Sequence, residues 1–242
     1  MFRIKMADLL IEIQNHYKYV ENMCKDYLAE AESGPVNLVV EVTEEAIMKE
    51  QREASVPCTK DYCESICIYR EISKHLISYD GFLMHGACIE MDGDVYVFCA
   101  KSGTGKSTHL ALWKKHFGEK ARIINGDKPI LRWFGSEANK DISNFVVYGT
   151  PWCGKEGWNI NTSGSLKAIC FLERGEKNEI HPIRSDETIK RLGHQILMPK
   201  TPYEMTKYLD MIDVLIRNTP CYLLSCNMEE EAAVVAYEGM NH

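Results

Sequence analysis

One stretch of this sequence has the residue types and spacing of a phosphate cradle. An apolar run at 94–99 leads into Ala100-Lys101-Ser102-Gly103-Thr104-Gly105, and Lys106-Ser107-Thr108 then open a helical pattern with Leu110, Leu112 and Trp113 behind. Glycines in such a loop let successive backbone N–H groups curl around phosphate oxygens, and the helix start adds the positive end of its dipole. Lys106 would reach the β- and γ-phosphates of ATP, and the Ser107 hydroxyl would hold Mg²⁺. The pattern G-x-x-x-x-G-K-[ST] is met except at its first position, where Ala100 stands. Alanine serves there if its φ stays negative. The competing reading is a chance strand-turn-helix, but the strand before and the helix after supply the context a phosphate loop needs. Lys106 is expected on an exposed phosphate face, apart from the core.

Phosphate chemistry also needs a carboxylate, for a metal ion or for the proton of an acceptor. The apolar run 123–124 ends in Asn125-Gly126-Asp127, one strand after the helix, where an acid can face a bound triphosphate. Asp127 is therefore the candidate metal ligand or general base, set against a plain turn aspartate in Gly126-Asp127-Lys128-Pro129. His85 sits on the strand that leads toward the loop and is a candidate for the phosphate-transfer end, against a buried, hydrogen-bonded histidine. The segment 148–159 holds two tryptophans and three glycines around Lys155-Glu156. Glu156 is a candidate second metal ligand there, and Lys155 a phosphate or acceptor contact, against a loop merely anchored by tryptophan. Met198-Pro199-Lys200-Thr201-Pro202 is a weaker candidate border of the base or the acceptor.

Taken together, His85-Gly86, the hairpin after it, Ser102-Gly103-Thr104-Gly105-Lys106-Ser107 and Gly126-Asp127 resemble the catalytic core of HPr kinase/phosphorylase. The wider class includes ATP-dependent phosphoenolpyruvate carboxykinase. The resemblance covers residues 82–131 well and the later elements in outline. It implies an enzyme of kinase type that moves the ATP γ-phosphate to a serine hydroxyl. On it Lys106, Ser107 and the rest of the loop bind phosphate and Mg²⁺, Asp127 is metal ligand or base, and His85 lies near the transferred phosphate. Two positions depart from the family pattern: Lys128 stands where a second acid is usual, and Ala100 replaces the first loop glycine. A full carboxykinase is about twice this length, so decarboxylation is not expected. Small stand-alone relatives act on free serine or on peptide serines, so the resemblance implies a serine-containing protein, peptide or small molecule as acceptor. The rival class is a nucleotide-binding regulatory module without turnover, and a third is hydrolysis that drives a partner.

These side chains need a scaffold, and the pattern of the chain supplies one. Residues 36–42, 82–90, 94–99, 121–124, 129–134, 145–148, 165–172, 180–183 and 221–226 read as strands, with Met91-Asp92-Gly93 as a hairpin turn. Strand 165–172 is expected to pair with 180–183 through Arg174-Gly175-Glu176. Helices are expected at 62–77, 106–117, behind the capping box Thr201-Pro202-Tyr203-Glu204, and from Asn227 through Tyr237. Turns are expected at 32–35 and a polar loop at 135–144. The fold class is α/β, with α+β the variant, around a mixed sheet carrying the phosphate loop. One kinase-like domain is expected over 1–242, with 1–80 a divergent N-terminal part and 81–242 the catalytic core.

The 242 residues are 45% hydrophobic and 26% charged, an ordinary globular balance, with a net charge of −7. An acidic chain argues against a broad nucleic-acid groove or a polybasic membrane patch. No apolar run reaches a membrane span, and no secretory leader is evident, so a soluble cytoplasmic protein is expected, with a homo-oligomer possible. Of ten cysteines only Cys58, Cys63 and Cys67 cluster; free thiols are expected over a metal site, which favours C-x2-C pairs.

Overall fold

A computed structural model describes residues 1–30, 34–135, 144–199 and 201–241. The chain divides into two compact units, Met1–Tyr79 and Asp80–His242. In the first, β1 (Phe2–Met6) and β2 (Leu9–Gln14) form an antiparallel hairpin, and β3 (Leu38–Glu41) runs parallel to β2. Helices α1 (Lys18–Met23), α2 (Glu44–Glu53) and α3 (Lys60–Leu76) complete the unit. The expected helix at 62–77 is α3, which buries Ile68, Ile72 and Leu76 at helical spacing. Helix α2 was not legible in advance because it buries Ile47 alone and is otherwise polar. The turn expected at 32–35 lies partly outside the described residues.

The second unit is built on a nine-stranded mixed sheet, as α/β reasoning expects. Its strands are β4 (Gly81–Leu83), β5 (Ala87–Met91), β6 (Asp94–Cys99), β7 (Arg122–Asn125), β8 (Ile130–Trp133) and β9 (Phe145–Tyr148). Long β10 (Ser163–Arg174), β11 (Glu179–Pro182) and β12 (Cys221–Cys226) follow. The order β4-β8-β9-β10-β6-β5-β7 is mostly antiparallel, but β6 and β12 run parallel to β10 on its two sides. The helices are α4 (Lys106–Phe117), α5 (Ser185–Leu192), α6 (Pro202–Asn218) and α7 (Glu231–Asn241). No helix among the described residues is long and apolar enough to cross a membrane.

Three expectations about this unit need correction. The run 82–90 is two strands: at Met84-His85-Gly86 the backbone changes partners, with β4 on β8 and β5 between β6 and β7. There the Met84, His85 and Gly86 N–H groups donate to the carbonyls of Pro129, Gln195 and Asp127. Strand β11 pairs with β12 rather than β10, because β12 occupies the β10 edge from Ile169 to Arg174. The terminal helix begins at Glu231, not Asn227; the Asn227 side chain instead accepts the Glu229 N–H and forms a local turn. The loop expected at 135–144 lies almost wholly outside the described residues.

Alternation along β6 explains how the loop is aimed. Tyr96, Phe98 and Ala100 face one way and pack with Leu110 and Trp113 of α4 and with Ala233 and Ala236 of α7. Each fully buried side chain such as Phe98 or Leu110 contributes roughly 1.5–3 kcal/mol. Trp113 is the hub, with ring centroids of Tyr96, Phe98, Phe117 and Tyr237 within 5.8 Å of its own. The hairpin β5–β6 closes through Asp92 and Gly93, both at positive φ (55° and 88°), the two-residue turn that matches strand twist. Strand, loop and helix start are thereby fixed from both ends.

Candidate functional site

The segment between β6 and α4 has the backbone a phosphate cradle needs. Gly103 and Gly105 take φ of 78° and 129°, values strained for any residue with a side chain, whereas Ala100 keeps negative φ and packs into the core. The Thr104 N–H closes a turn on the Lys101 carbonyl at 3.1 Å, and the His109 N–H makes the first intrahelical bond, to Gly105 at 2.9 Å. The amides of Lys106, Ser107 and Thr108 precede that bond, α4 has no side-chain cap, and its first turn holds no acid. Its N-terminal partial positive charge is unopposed within the helix. Lys101, Ser102, Gly103 and Thr108 are exposed, and Thr104 and Ser107 are half-buried.

Lys106 departs from the expected exposed position. It is 9% exposed, with Nζ tucked back 3.2 Å from the Ala100 carbonyl and 3.0 Å from His85 Nε2. The side chain turns inward to donate to the Ala100 carbonyl, with the His85 ring beside it. Burial pushes its pKa down, and the nearby charge of Asp127 opposes that shift.

His85 continues the chain of contacts. Its Nε2 lies 3.3 Å from Asp127 Oδ1, and Lys128 Nζ lies 2.8 Å from Asp127 Oδ2. Burial raises the Asp127 pKa, but the hydrogen bond from His85 and the charge of Lys128 outweigh it and hold the carboxyl at about 2. The group is a half-buried carboxylate, ionised at any ordinary pH.

The local sequence explains why Asp127 stands there. Asn125 ends β7, and its Oδ1 accepts the N–H groups of Asp127 (2.9 Å) and Lys128 (2.7 Å). Its Nδ2 donates to the Thr150 carbonyl and Oγ1, while the Thr150 hydroxyl donates to the Lys128 carbonyl. Gly126 is required by close approach: a Cβ there would sit 2.6 Å from the Cys153 carbonyl oxygen. Buried Asn125 and Thr150 thus position the acid, and sequence reading missed both. The signal available was a polar Asn closing an otherwise apolar strand.

The remaining candidates separate. Asp127 and Glu156 both border Gly154, with Asp127 Cβ 3.4 Å and Glu156 Oε2 3.6 Å from where a Gly154 Cβ would be. Lys155 is exposed. In the segment 198–202, Met198 packs over Gly193 and Thr201 caps α6, while Lys200 lies outside the described residues. It is Gln195, just before, that touches the site, through its carbonyl on the His85 N–H at 2.7 Å. The three clustered cysteines belong to the first unit; Cys58 and Cys63 sulfurs are 2.8 Å apart as free thiols. No group of ligands fit to hold a metal by its side chains alone occurs among the described residues.

A family model described as "SynChlorMet cassette protein ScmC" matches residues 61–231. The chain belongs to the ScmC family. No curated protein matches it. Among solved structures, this ScmC-family chain is similar to the Hpr(Ser) kinase/phosphatase from Coxiella burnetii, at 10% identity and a TM-score of 0.34. That alignment covers 66% of this chain and 93% of the other. The expected kinship with HPr kinase/phosphorylase is thus a distant likeness, and the functional argument rests on the side chains.

Proposed function

We propose that this ScmC-family protein is a nucleotide-dependent phosphotransferase that moves the γ-phosphate of ATP to a serine-type hydroxyl of a protein, peptide or small molecule. One observation carries the reading: Lys106, His85, Asp127 and Lys128 form an unbroken chain of contacts, each 3.3 Å or less, beside an uncapped helix start. A loop of residues 100–105 and the amides of Lys106, Ser107 and Thr108 would wrap the phosphates as a P-loop does, with Lys106 on the β- and γ-phosphates. In the reaction the acceptor oxygen forms a bond to the γ-phosphorus, the bond to the ADP oxygen breaks, and the hydroxyl proton goes to the Asp127 carboxylate. A carboxylate held at about 2 is a weak base, so it takes that proton only as the hydroxyl turns acidic in the transition state. His85, in reach of both Lys106 and Asp127, would orient the carboxylate and face the transferred group.

The Ser107 hydroxyl and the Asp127 and Glu156 carboxylates are hard oxygen donors of the kind that suit Mg²⁺, and the two carboxylate residues both border Gly154. Bound there, the ion would neutralise phosphate charge. A second reading, nucleotide binding without turnover, is favoured by one detail: both Asp127 oxygens already have partners, His85 and Lys128. Incubation with γ-labelled ATP and serine, serine peptides and small proteins separates the two. Label moving to an acceptor supports the transferase; label that stays on bound nucleotide with every acceptor supports the binder.

A further inference from the structure

Two cavities flank the glycine-rich loop, and they are not equivalent. One, of about 450 Å³, is bordered by Gly103, Thr104 and Thr108 and walled by Leu112, Leu172 and Met228. The other, of about 550 Å³, lies against Ala100, Lys101 and Ser102 and reaches His194 and Gln195. Both volumes lie within the roughly 300–1,000 Å³ usual for small-ligand sites.

The position of Lys106 gives the phosphate chain a direction. Its ammonium sits at the start of the loop, between the Ala100 carbonyl and His85, and in a phosphate loop the lysine marks the β/γ end. On that reading the γ-phosphate points toward His85 and the neighbouring Gln195, which also lines the second cavity. The nucleoside must leave from the opposite end, on the side of Thr108, which lines the first cavity, whereas Thr104 borders both cavities.

The walls agree with that direction. Leu112, Leu172 and Met228 offer apolar faces of the kind that pack on a flat base. Behind them His109, 2% exposed, receives the Trp113 indole N–H on Nε2 at 3.0 Å and lies edge-on to Phe98. Burial drives its pKa to about 3, so this part of the wall carries no charge at neutral pH, and the charged lining residues are Glu173 and Arg174. Arg174 at the end of β10 donates to the Thr104 carbonyl at 3.2 Å and to that of Gly103, fixing the edge shared by loop and cavity.

We propose that the cavity between α4, the end of β10 and Met228 binds the nucleoside of the donor nucleotide, its base packed against Leu112, Leu172 and Met228. This rests on the phosphate reading of the loop and deepens it by assigning the ends of the nucleotide. It leaves the second cavity, at the γ end, to the acceptor.

Calorimetric titration with Mg·ATP and with magnesium tripolyphosphate tests the assignment, because tripolyphosphate has the phosphates and no nucleoside. Leu112, half-buried on α4, is replaced by the cavity-filling Leu112→Trp; Met228→Trp fills the same space from a residue 78% exposed, so folding is not at issue. Each variant is expected to weaken ATP by at least about tenfold while leaving tripolyphosphate within about twofold. Variants that leave both affinities unchanged, or weaken both equally, overturn the nucleoside cavity while the loop reading stands. Wild-type protein that binds neither probe overturns both.

Discussion

Two histidines border the glycine-rich loop, and their surroundings differ in kind. The His85 side chain is 28% exposed and sits between an ammonium and a carboxylate. His109 is 2% exposed and packs against the Phe98 and Trp113 rings, accepting the Trp113 indole N–H. The same imidazole is thus placed in a charged, solvent-reachable line in one case and held neutral in a packed core in the other. Burial without an ionic partner turns a histidine into a core residue, whereas partial exposure between charged groups lets it orient a neighbouring carboxylate. On the proposed function, the His85 side of the loop is the chemical side. Substitutions on each side should therefore fail in different assays.

The largest effect is expected at Lys106, the link between the loop and that side. Lys106→Ala should reduce phosphoryl transfer by at least about a hundredfold, some 2.7 kcal/mol, and weaken Mg·ATP binding. Because this side chain is buried, Lys106→Met should be measured alongside; a well-folded Lys106→Met that keeps wild-type transfer would detach the loop from the chemistry. Next comes Asp127→Asn, which should lower kcat by more than about tenfold with little change in ATP affinity, as for a group acting mainly in the transition state. A smaller loss removes Asp127 from the mechanism.

His85→Gln sharpens the comparison itself. Turnover should fall by about tenfold, while the melting temperature moves by less than about 3 °C. A large melting shift with normal turnover per folded molecule would make His85 another His109. The last effect belongs to His109, and it concerns stability rather than turnover. Its pKa is about 3 when folded against the ordinary 6.5, so the unfolded chain binds more protons in that window. Stability is full above about pH 6.5 and declines as pH falls toward 3. Asp127, at about 2 against 3.8, adds a further loss as pH falls from about 3.8 toward 2. Thermal melts of His109→Phe should be flatter than wild type between about pH 6.5 and 4; parallel curves would contradict a neutral, buried His109.

The contrast also explains what was readable in advance. The loop, its strand and its helix were legible because glycine spacing, an apolar run and a helical stripe are local signals that agree with one another. Asp127 could be picked out as an acid closing a strand, and His85 by its place before the loop. Their contact could not, since it depends on β5 pairing with both β6 and β7, a long-range register with no local signature. For the same reason the partner of β10 was misassigned: β11 is next in sequence, but β12 fills the edge. The inward turn of Lys106 and the Asn125–Thr150 brace are tertiary facts, set by which carbonyls and hydroxyls the fold brings near.

The central claim is that the loop and the line Lys106–His85–Asp127 hold the transferring end of a nucleotide. A crystal structure of the protein with magnesium and a non-hydrolysable ATP analogue tests it most directly. The account predicts the terminal phosphate within hydrogen-bond reach of Lys106 Nζ, facing His85 and Asp127, with the loop amides around the phosphates. Nucleotide bound elsewhere, or at the loop with its terminal phosphate turned away from Asp127, would contradict it.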